Sequence, residues 1–356
     1  MKAQLLKSLS HMEAFSNLTE KDLSDIDSRG LAHDHVKLGK TGWIARIPRG
    51  NQLGMEPADY LNLQKDIYAA MGKSGVTPNI LDAVVPNDDF PNGILIVEYI
   101  DGRDIQSEAD LKAVAKCLGE IHKMPVPDQA GMIEKATHPL AGQEFLLTEV
   151  FDAALASDKI APETRDFLQA ERKELFNQIE TLKEQDDIPM SIIGGDSHLG
   201  NYLIDKKGKA WLVDLEFAAY DLGLVDLADA SLAITSHLDP HIGVIPSEQT
   251  VDAFYQTWKD TVGPKMAQKS EALISLTERI VQLRTLAWLS HWVTEGRDQE
   301  KDKVSQKSLE NWDKMAAHYL APKNLRQIFN DKARKHRLPK MPPNNRQARK
   351  NDQHKL

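Results

Sequence analysis

Apolar and polar positions follow two different periods along this chain, and the change falls near residue 102. Before it, short apolar runs alternate with polar residues at the two-residue period of strands. The stretch "RGLAHDHVKLGKTGWIARIPRG" predicts two antiparallel strands with the Gly39–Gly42 region as their turn; "NILDAVVPN" and "GILIVEYIDG" predict two more. Between the pairs, "EPADYLNLQKDIYAAMGKSG" has helical spacing, with Pro57 in its first turn and Gly72 or Gly75 at its end. The result is β-β-α-β-β over residues 29–102. Residues 1–28 read as a helical lead-in, where "NLTEKDLSDI" has a polar start and helical apolar spacing.

Beyond residue 102 the period is helical. "SEADLKAVAKCLGEIHKM" predicts a helix with Ser107 as its cap and Asp110 in its third position, close to a capping box. Helical patterns fill 140–186 and return up to about Tyr319. Between them "NYLIDKKGKAWLVDLEF" is an interruption: two short apolar runs around a Gly-containing turn, a hairpin. The last 35 residues have little apolar content and several Pro and Asn, which predicts an extended tail. No internal repeat of fixed period is present.

The hairpin also carries chemistry. Alternation along its second strand sends Val213 and Leu215 one way and Leu212, Asp214 and Glu216 the other. Two acids on one face at a strand end repel each other unless a cation sits beside them. Asn201 opens the partner strand and can bring an amide oxygen to the same place. Oxygens of Asp, Asn, phosphate and water are what Mg²⁺ prefers. Asp196 precedes Asn201 by five residues, in the small-residue loop "GGDSHLG". There a carboxylate can be held off the metal and take a hydroxyl proton.

Composition narrows the class. With 356 residues and 41% hydrophobic content, the chain is long enough for two domains or two lobes of one enzyme. The single cysteine, Cys117, excludes a disulfide framework and fits a reducing compartment. No run of eighteen apolar residues and no signal-peptide pattern is found, so a cytoplasmic protein without a transmembrane segment is expected. The net charge of −9 is uneven: residues 322–356 hold 11 Lys+Arg against 2 Asp+Glu, leaving −18 on the rest. An acidic body disfavours nucleic acid and suits a cationic small ligand. The basic tail lacks interleaved aromatics, which argues against a specific nucleic-acid partner.

The segment "GGDSHLGN" resembles the "HGDxHxxN" loop of the aminoglycoside phosphotransferase and choline kinase superfamily. "LVDLEFAAYDLGLVDLAD" resembles the metal-binding stretch that follows it there, ending in "DLA". Gly195 is read in the place of the motif's histidine, and His198 matches its second histidine as a loop brace. The resemblance covers roughly residues 29–320. It implies an α+β, protein-kinase-like fold of two lobes: a small N-terminal β-sheet lobe with one helix, residues 1–102, and a larger, mostly α-helical catalytic and acceptor-binding lobe, residues 103–321, with the tail at 322–356. It also implies an ATP- and Mg²⁺-dependent phosphotransferase acting on a hydroxyl of a small, cationic alcohol of the aminoglycoside, choline or ethanolamine kind. The alternative is a catalytically weak nucleotide-binding regulator of the same fold. ATP versus GTP, the acceptor and the oligomeric state are not fixed by the sequence.

By matching position, the resemblance makes Asp196 the catalytic base. Asn201 and Asp214 become Mg²⁺ ligands, with Glu216 as a metal or substrate neighbour. Arg46 matches the place on the family's third strand that holds a phosphate-contacting Lys or Arg; a guanidinium binds phosphate with two-pronged geometry. An acid on the following helix should hold it, Glu56 or Asp59. Val97 would be the gatekeeper of the hinge, with the Glu98 carbonyl and the Ile100 amide on the adenine edge. Of a glycine-rich loop only Gly30 remains. On the acceptor side stand Tyr220, Asp221, Trp288, Trp292 and Glu295; the two Trp lie four apart on one helix face, as rings facing an ammonium would. Packing of that pair onto the core competes with this role. Asp226 and Asp229 read as braces of helix ends.

Overall fold

Strict alternation along each strand builds the first sheet, whose two faces are covered differently. Its strands are β1 (Leu23–Ile26), β2 (His33–Leu38), β3 (Trp43–Pro48), β4 (Ile80–Val84) and β5 (Ile94–Glu98), all antiparallel, in the order β1-β2-β3-β5-β4. The computed structural model describes residues 1–26, 32–51, 53–183, 188–301 and 305–330. Val36, Leu38, Ala45, Ile47, Ile94 and Ile96 point to one face, under Leu5 and Leu9 of helix α1 (Lys2–Leu9) and Phe15. The opposite face, with Ile44, Leu95 and Val97, meets helix α2 (Pro57–Met71) through Leu61, Leu63, Ile67 and Met71. The same alternation leaves His33, His35 and Arg46 on this second face, opposite Val36, Ala45 and Ile47.

The rest of the chain is mostly helical around two small sheets. In chain order come β6 (Gly102–Arg103), α3 (Leu111–His122), α4 (Ala141–Ala156), α5 (Pro162–Lys183), β7 (Ser191–Ile193), β8 (Tyr202–Asp205), β9 (Ala210–Leu212) and β10 (Ala219–Asp221). Then follow α6 (Leu224–Ser231), α7 (Ala233–Leu238), α8 (Glu248–Val262), α9 (Pro264–Glu271), α10 (Ile274–His291), α11 (Arg297–Glu300), α12 (Gln306–Tyr319) and α13 (Pro322–Asn330). Strands β6, β8 and β9 form one sheet, β7 and β10 another. Ser107 and Asp110 make the expected capping box ahead of α3, and Arg103 grips Asp110 at 2.8 and 2.9 Å.

Three expectations are corrected. The lead-in is not helical throughout: helix ends at Leu9, and "NLTEKDLSDI" gives a single turn at Glu20–Asp22 and then β1, because Leu23 finds the sheet edge and pairs with Leu38. The basic tail is not extended from its start. Pro322–Asn330 is helical, and Leu325 and Ile328 are buried in the main core, so two apolar residues suffice to dock this turn. The remainder of the tail lies outside the described residues, as does Gly30. Finally, β9 stops at Leu212, so the strand alternation expected to aim Asp214 and Glu216 does not reach them.

Candidate active site

The hairpin β8–β9 brings Asn201 and Asp214 together by its last rung: the Val213 N–H donates to the Asn201 carbonyl at 2.8 Å. One residue on, Asp214 takes φ +53, in the left-handed region, which Asp tolerates better than most side chains. That twist replaces the expected alternation and turns the carboxylate toward the N-terminal lobe. There it meets the Arg46 guanidinium directly. Arg46 is buried, with Nη1 also 3.5 Å from Gln64 Oε1 and Nη2 3.6 Å from Glu216 Oε2.

The helix partner of Arg46 is therefore Gln64, and neither Glu56 nor Asp59. Glu56 is the cap residue before α2 and Asp59 lies in its first turn; both are exposed. The N-terminal end of a helix dipole is a favourable place for an acid, which accounts for them there. Gln64 sits two turns deeper, on the buried face beside Tyr60, and its Nε2 donates to the Glu216 carbonyl at 3.3 Å. A polar residue at helical spacing within the stripe Tyr60, Leu61, Ile67, Tyr68 and Met71 was the sequence signal for it.

Glu216 is buried, and its neighbours stand at long range. Tyr60 donates to its Oε2 at 3.4 Å and His33 Nδ1 is at 3.4 Å. Burial first, and then the nearby Asp214 charge, push its carboxyl up to about 7 against the pull of Arg46. Burial, with Arg46 close by, also lowers the pKa of His35 to about 4 and that of His33 far below the ordinary range. This face of the N-terminal sheet thus carries one permanent charge, Arg46, and two neutral imidazoles.

Asp196 is the open end of the arrangement, with its side chain 46% exposed. Asn201 Nδ2 donates to its backbone carbonyl at 2.7 Å and lies 3.4 Å from its Oδ2. His198 accepts from the Gly200 N–H at 3.1 Å and braces the turn. Beneath, Asp226 of α6 receives the N–H groups of Gly194 and Gly195 at 2.8 and 3.1 Å. His122 joins the same carboxylate at 3.1 Å, and Trp258 donates to the other His122 nitrogen at 3.0 Å. Because the indole can only donate, His122 accepts at Nδ1 and donates at Nε2: a neutral ring with both nitrogens used.

The motif's register needs correcting. Gly195 has φ +78, and a Cβ there would lie 2.3 Å from the Phe217 carbonyl oxygen. It is the motif's glycine, and the histidine position, two residues before Asp196, is Gly194. Support of the loop comes instead through Asp226, read from the sequence as a brace of a helix end, and through His122, to which the sequence assigned no role.

Several residues assigned to the acceptor side have partners of their own within the fold. Asp221 is buried and its Oδ1 accepts from the N–H groups of Leu140 and Leu222 at 2.6 and 2.7 Å, fixing the start of α4. Tyr220 is buried in β10. Trp288, Trp292 and Trp312 pack on one another with ring centroids 4.9–6.0 Å apart, and Trp292 donates to Asp313. Glu295 is exposed. At the expected hinge, Val97 is buried opposite Ile44, the Glu98 carboxylate accepts from Asn79 at 2.8 Å, and the Glu98 and Tyr99 N–H groups donate to the Asn79 and Gly42 carbonyls at 2.9 and 2.8 Å.

A model of the phosphotransferase enzyme family matches residues 27–254, most of the chain. The chain belongs to that family. Among solved structures it is similar to a choline/ethanolamine kinase family protein from Mesorhizobium loti, at 14% identity and TM-score 0.60, covering 92% of this chain and 98% of that one. A choline kinase from Cryptosporidium parvum matches at 15% and 0.62, covering 93% and 97%. Aminoglycoside 2'-phosphotransferase-IIIa matches at 15% and 0.59, covering 89% and 98%. No curated protein matches. At these identities the likeness is one of fold, and the fold is protein-kinase-like. No helix among the described residues is long and apolar enough to cross a membrane.

Family members of this fold use a divalent ion, and the donors here fit one. Asp214 already meets a cation, the Arg46 guanidinium, from a left-handed turn. Asn201 spends its amide N–H on Asp196, and its carbonyl oxygen could serve a metal ion.

Proposed function

We propose that the chain transfers the γ-phosphate of ATP to a hydroxyl group of a small molecule. The observation that carries this is the Asp196–Asn201 link on the catalytic loop together with the Asp214–Arg46 contact across the two lobes. Asp196, half-buried and held by Asn201, would accept the hydroxyl proton and orient the attacking oxygen; such groups contribute on the order of 10²–10⁴-fold. Mg²⁺ held by Asp214 and Asn201, with Glu216 beside them, would neutralise charge on the phosphate oxygens. Arg46 swings from Asp214 to the phosphates when that charge arrives, keeping its buried guanidinium paired throughout. Backbone groups near Val97, Glu98 and Ile100 receive the adenine edge.

The names of similar structures point to amino-alcohols and aminoglycosides as acceptors, and the acidic body of the chain suits a cationic alcohol. Tyr220, Asp221, Trp288, Trp292 and Glu295 are the weaker part of that reading, since Asp221 and the Trp trio are already engaged in packing. The competing reading, a nucleotide-binding regulator, draws on Gly194 where the family motif has histidine. Bracing of the loop by Asp226 favours the enzyme.

ATP consumption across a panel of amino-alcohols, aminoglycosides and sugars is the test. We expect turnover with at least one acceptor, and a fall of about 10³-fold in kcat for Asp196→Asn with nucleotide affinity within about twofold. Nucleotide binding with no turnover on any acceptor selects the regulator.

A further inference from the structure

Asp214 and Glu216 have a third neighbour that phosphotransfer leaves unused. One ring nitrogen of His33 and one oxygen of each carboxylate lie within 4.8 Å of one another. His33 opens β2 in the small lobe and is 3% exposed. Its Nδ1 makes one long contact, 3.4 Å to Glu216, and its Nε2 has no partner among the described residues. A buried imidazole kept for structure looks different in this same molecule: His122 uses both nitrogens, at 3.0 and 3.1 Å. Leaving a buried polar atom unmet costs roughly 1–3 kcal/mol, which an apolar residue on β2 would avoid.

We infer that His33, Asp214 and Glu216 form a divalent-metal site for a cation of the Zn²⁺ type, filled without nucleotide. One imidazole and two carboxylates are a donor set for zinc-like ions, whereas an imidazole adds little for Mg²⁺. Zinc ligands sit at about 2.0–2.2 Å, so donors around the ion stand roughly 3.4 Å apart, and those within 4.8 Å need shift by only about 1 Å. The site joins the two lobes, since His33 comes from β2 and the acids from the segment after β9. Arg46, against Asp214 and 3.6 Å from Glu216, is the competing cation and leaves when the metal enters. The site extends the proposed function, on whose assignment of Asp214 to a metal it rests, and differs from it in needing no triphosphate.

The test is calorimetric titration of Zn²⁺ and of Mg²⁺ into the full chain with no nucleotide present. The expected result is one Zn²⁺ per chain, bound on the order of 100-fold more tightly than Mg²⁺. His33→Gln weakens Zn²⁺ at least about tenfold and moves Mg²⁺ less than about twofold, and Arg46→Gln tightens Zn²⁺ by removing its rival. Equal Zn²⁺ affinity in wild type and His33→Gln overturns the site. Should His33→Gln fail to fold, Co²⁺ replaces Zn²⁺ in the wild type: a paramagnetically shifted imidazole N–H resonance is expected, and a Co²⁺-loaded chain without one overturns the site equally. Turnover with Mg·ATP is measured separately. Turnover without a Zn²⁺ site rejects this inference alone, and a Zn²⁺ site without turnover rejects the proposed function alone.

Discussion

Asp226 and Glu216 are both buried carboxylates next to the catalytic loop, and they are held in opposite ways. Asp226 takes three hydrogen bonds, at 2.8, 3.1 and 3.1 Å, from two backbone N–H groups and a neutral histidine. Glu216 has its neighbours at 3.4 Å or beyond and a second acid beside it. The first is an anchor: its charge is met within the fold. The second carries a charge that the fold leaves incompletely met, as expected where a cation comes and goes. The adjoining histidines repeat the contrast, His122 with both nitrogens engaged and His33 with one long contact.

Removing the anchor should have the largest effect. Asp226→Ala strips partners at once from buried Gly194 and His122 and from half-buried Gly195, and should destabilise by about 3–5 kcal/mol in urea unfolding. Glu216→Gln, of the same size and lacking the charge, should cost under about 1 kcal/mol or stabilise. Similar losses for both would erase the distinction. Gly195→Ala comes next, at about 1–3 kcal/mol, because it forces a side chain into φ +78 and against the Phe217 carbonyl. Since Phe217 follows Glu216, this substitution presses the anchored region onto the loosely held one. Its turnover should fall further than its stability alone explains, as read by kcat at a temperature where the variant is fully folded.

Legibility in the sequence followed the same division. The short-range pattern around Asp196, Asn201 and Asp214 was readable because spacing within one loop and hairpin is local. Strands β2–β5 and α2 were readable because alternation and helical period are local too, whereas β1 was not, since its pairing with Leu38 is decided at the sheet edge. What spacing could not choose was the partner of Arg46 across α2, since that depends on how deep the helix docks: Gln64 lies at the right height, and Glu56 and Asp59 two turns and one turn too early. The φ of Asp214 was equally out of reach, and with it the real reason its carboxylate meets Arg46. His33, next to Asp34 and His35, and His122 carry no local sign of their partners; each looks like any core histidine until the other end of its contact, more than 80 residues away, is known.

The comparison is sharpened further through pH. The Glu216 carboxyl stands at about 7 in the fold, above its ordinary 4.5, so folding favours its protonated form. Its contribution to stability is full below about 4.5 and is lost as pH rises through about 7. Wild type should therefore lose stability relative to Glu216→Gln across that window, with a difference of about 1–3 kcal/mol that levels off above pH 7. Urea midpoints of the two proteins at pH 4.5, 6 and 8, without divalent metal, measure it. A flat difference would mean that Glu216 is as well met as Asp226. Repeating the series with a divalent cation should shrink the gap in wild type, because a metal beside the carboxylate stabilises the ionised form that burial disfavours.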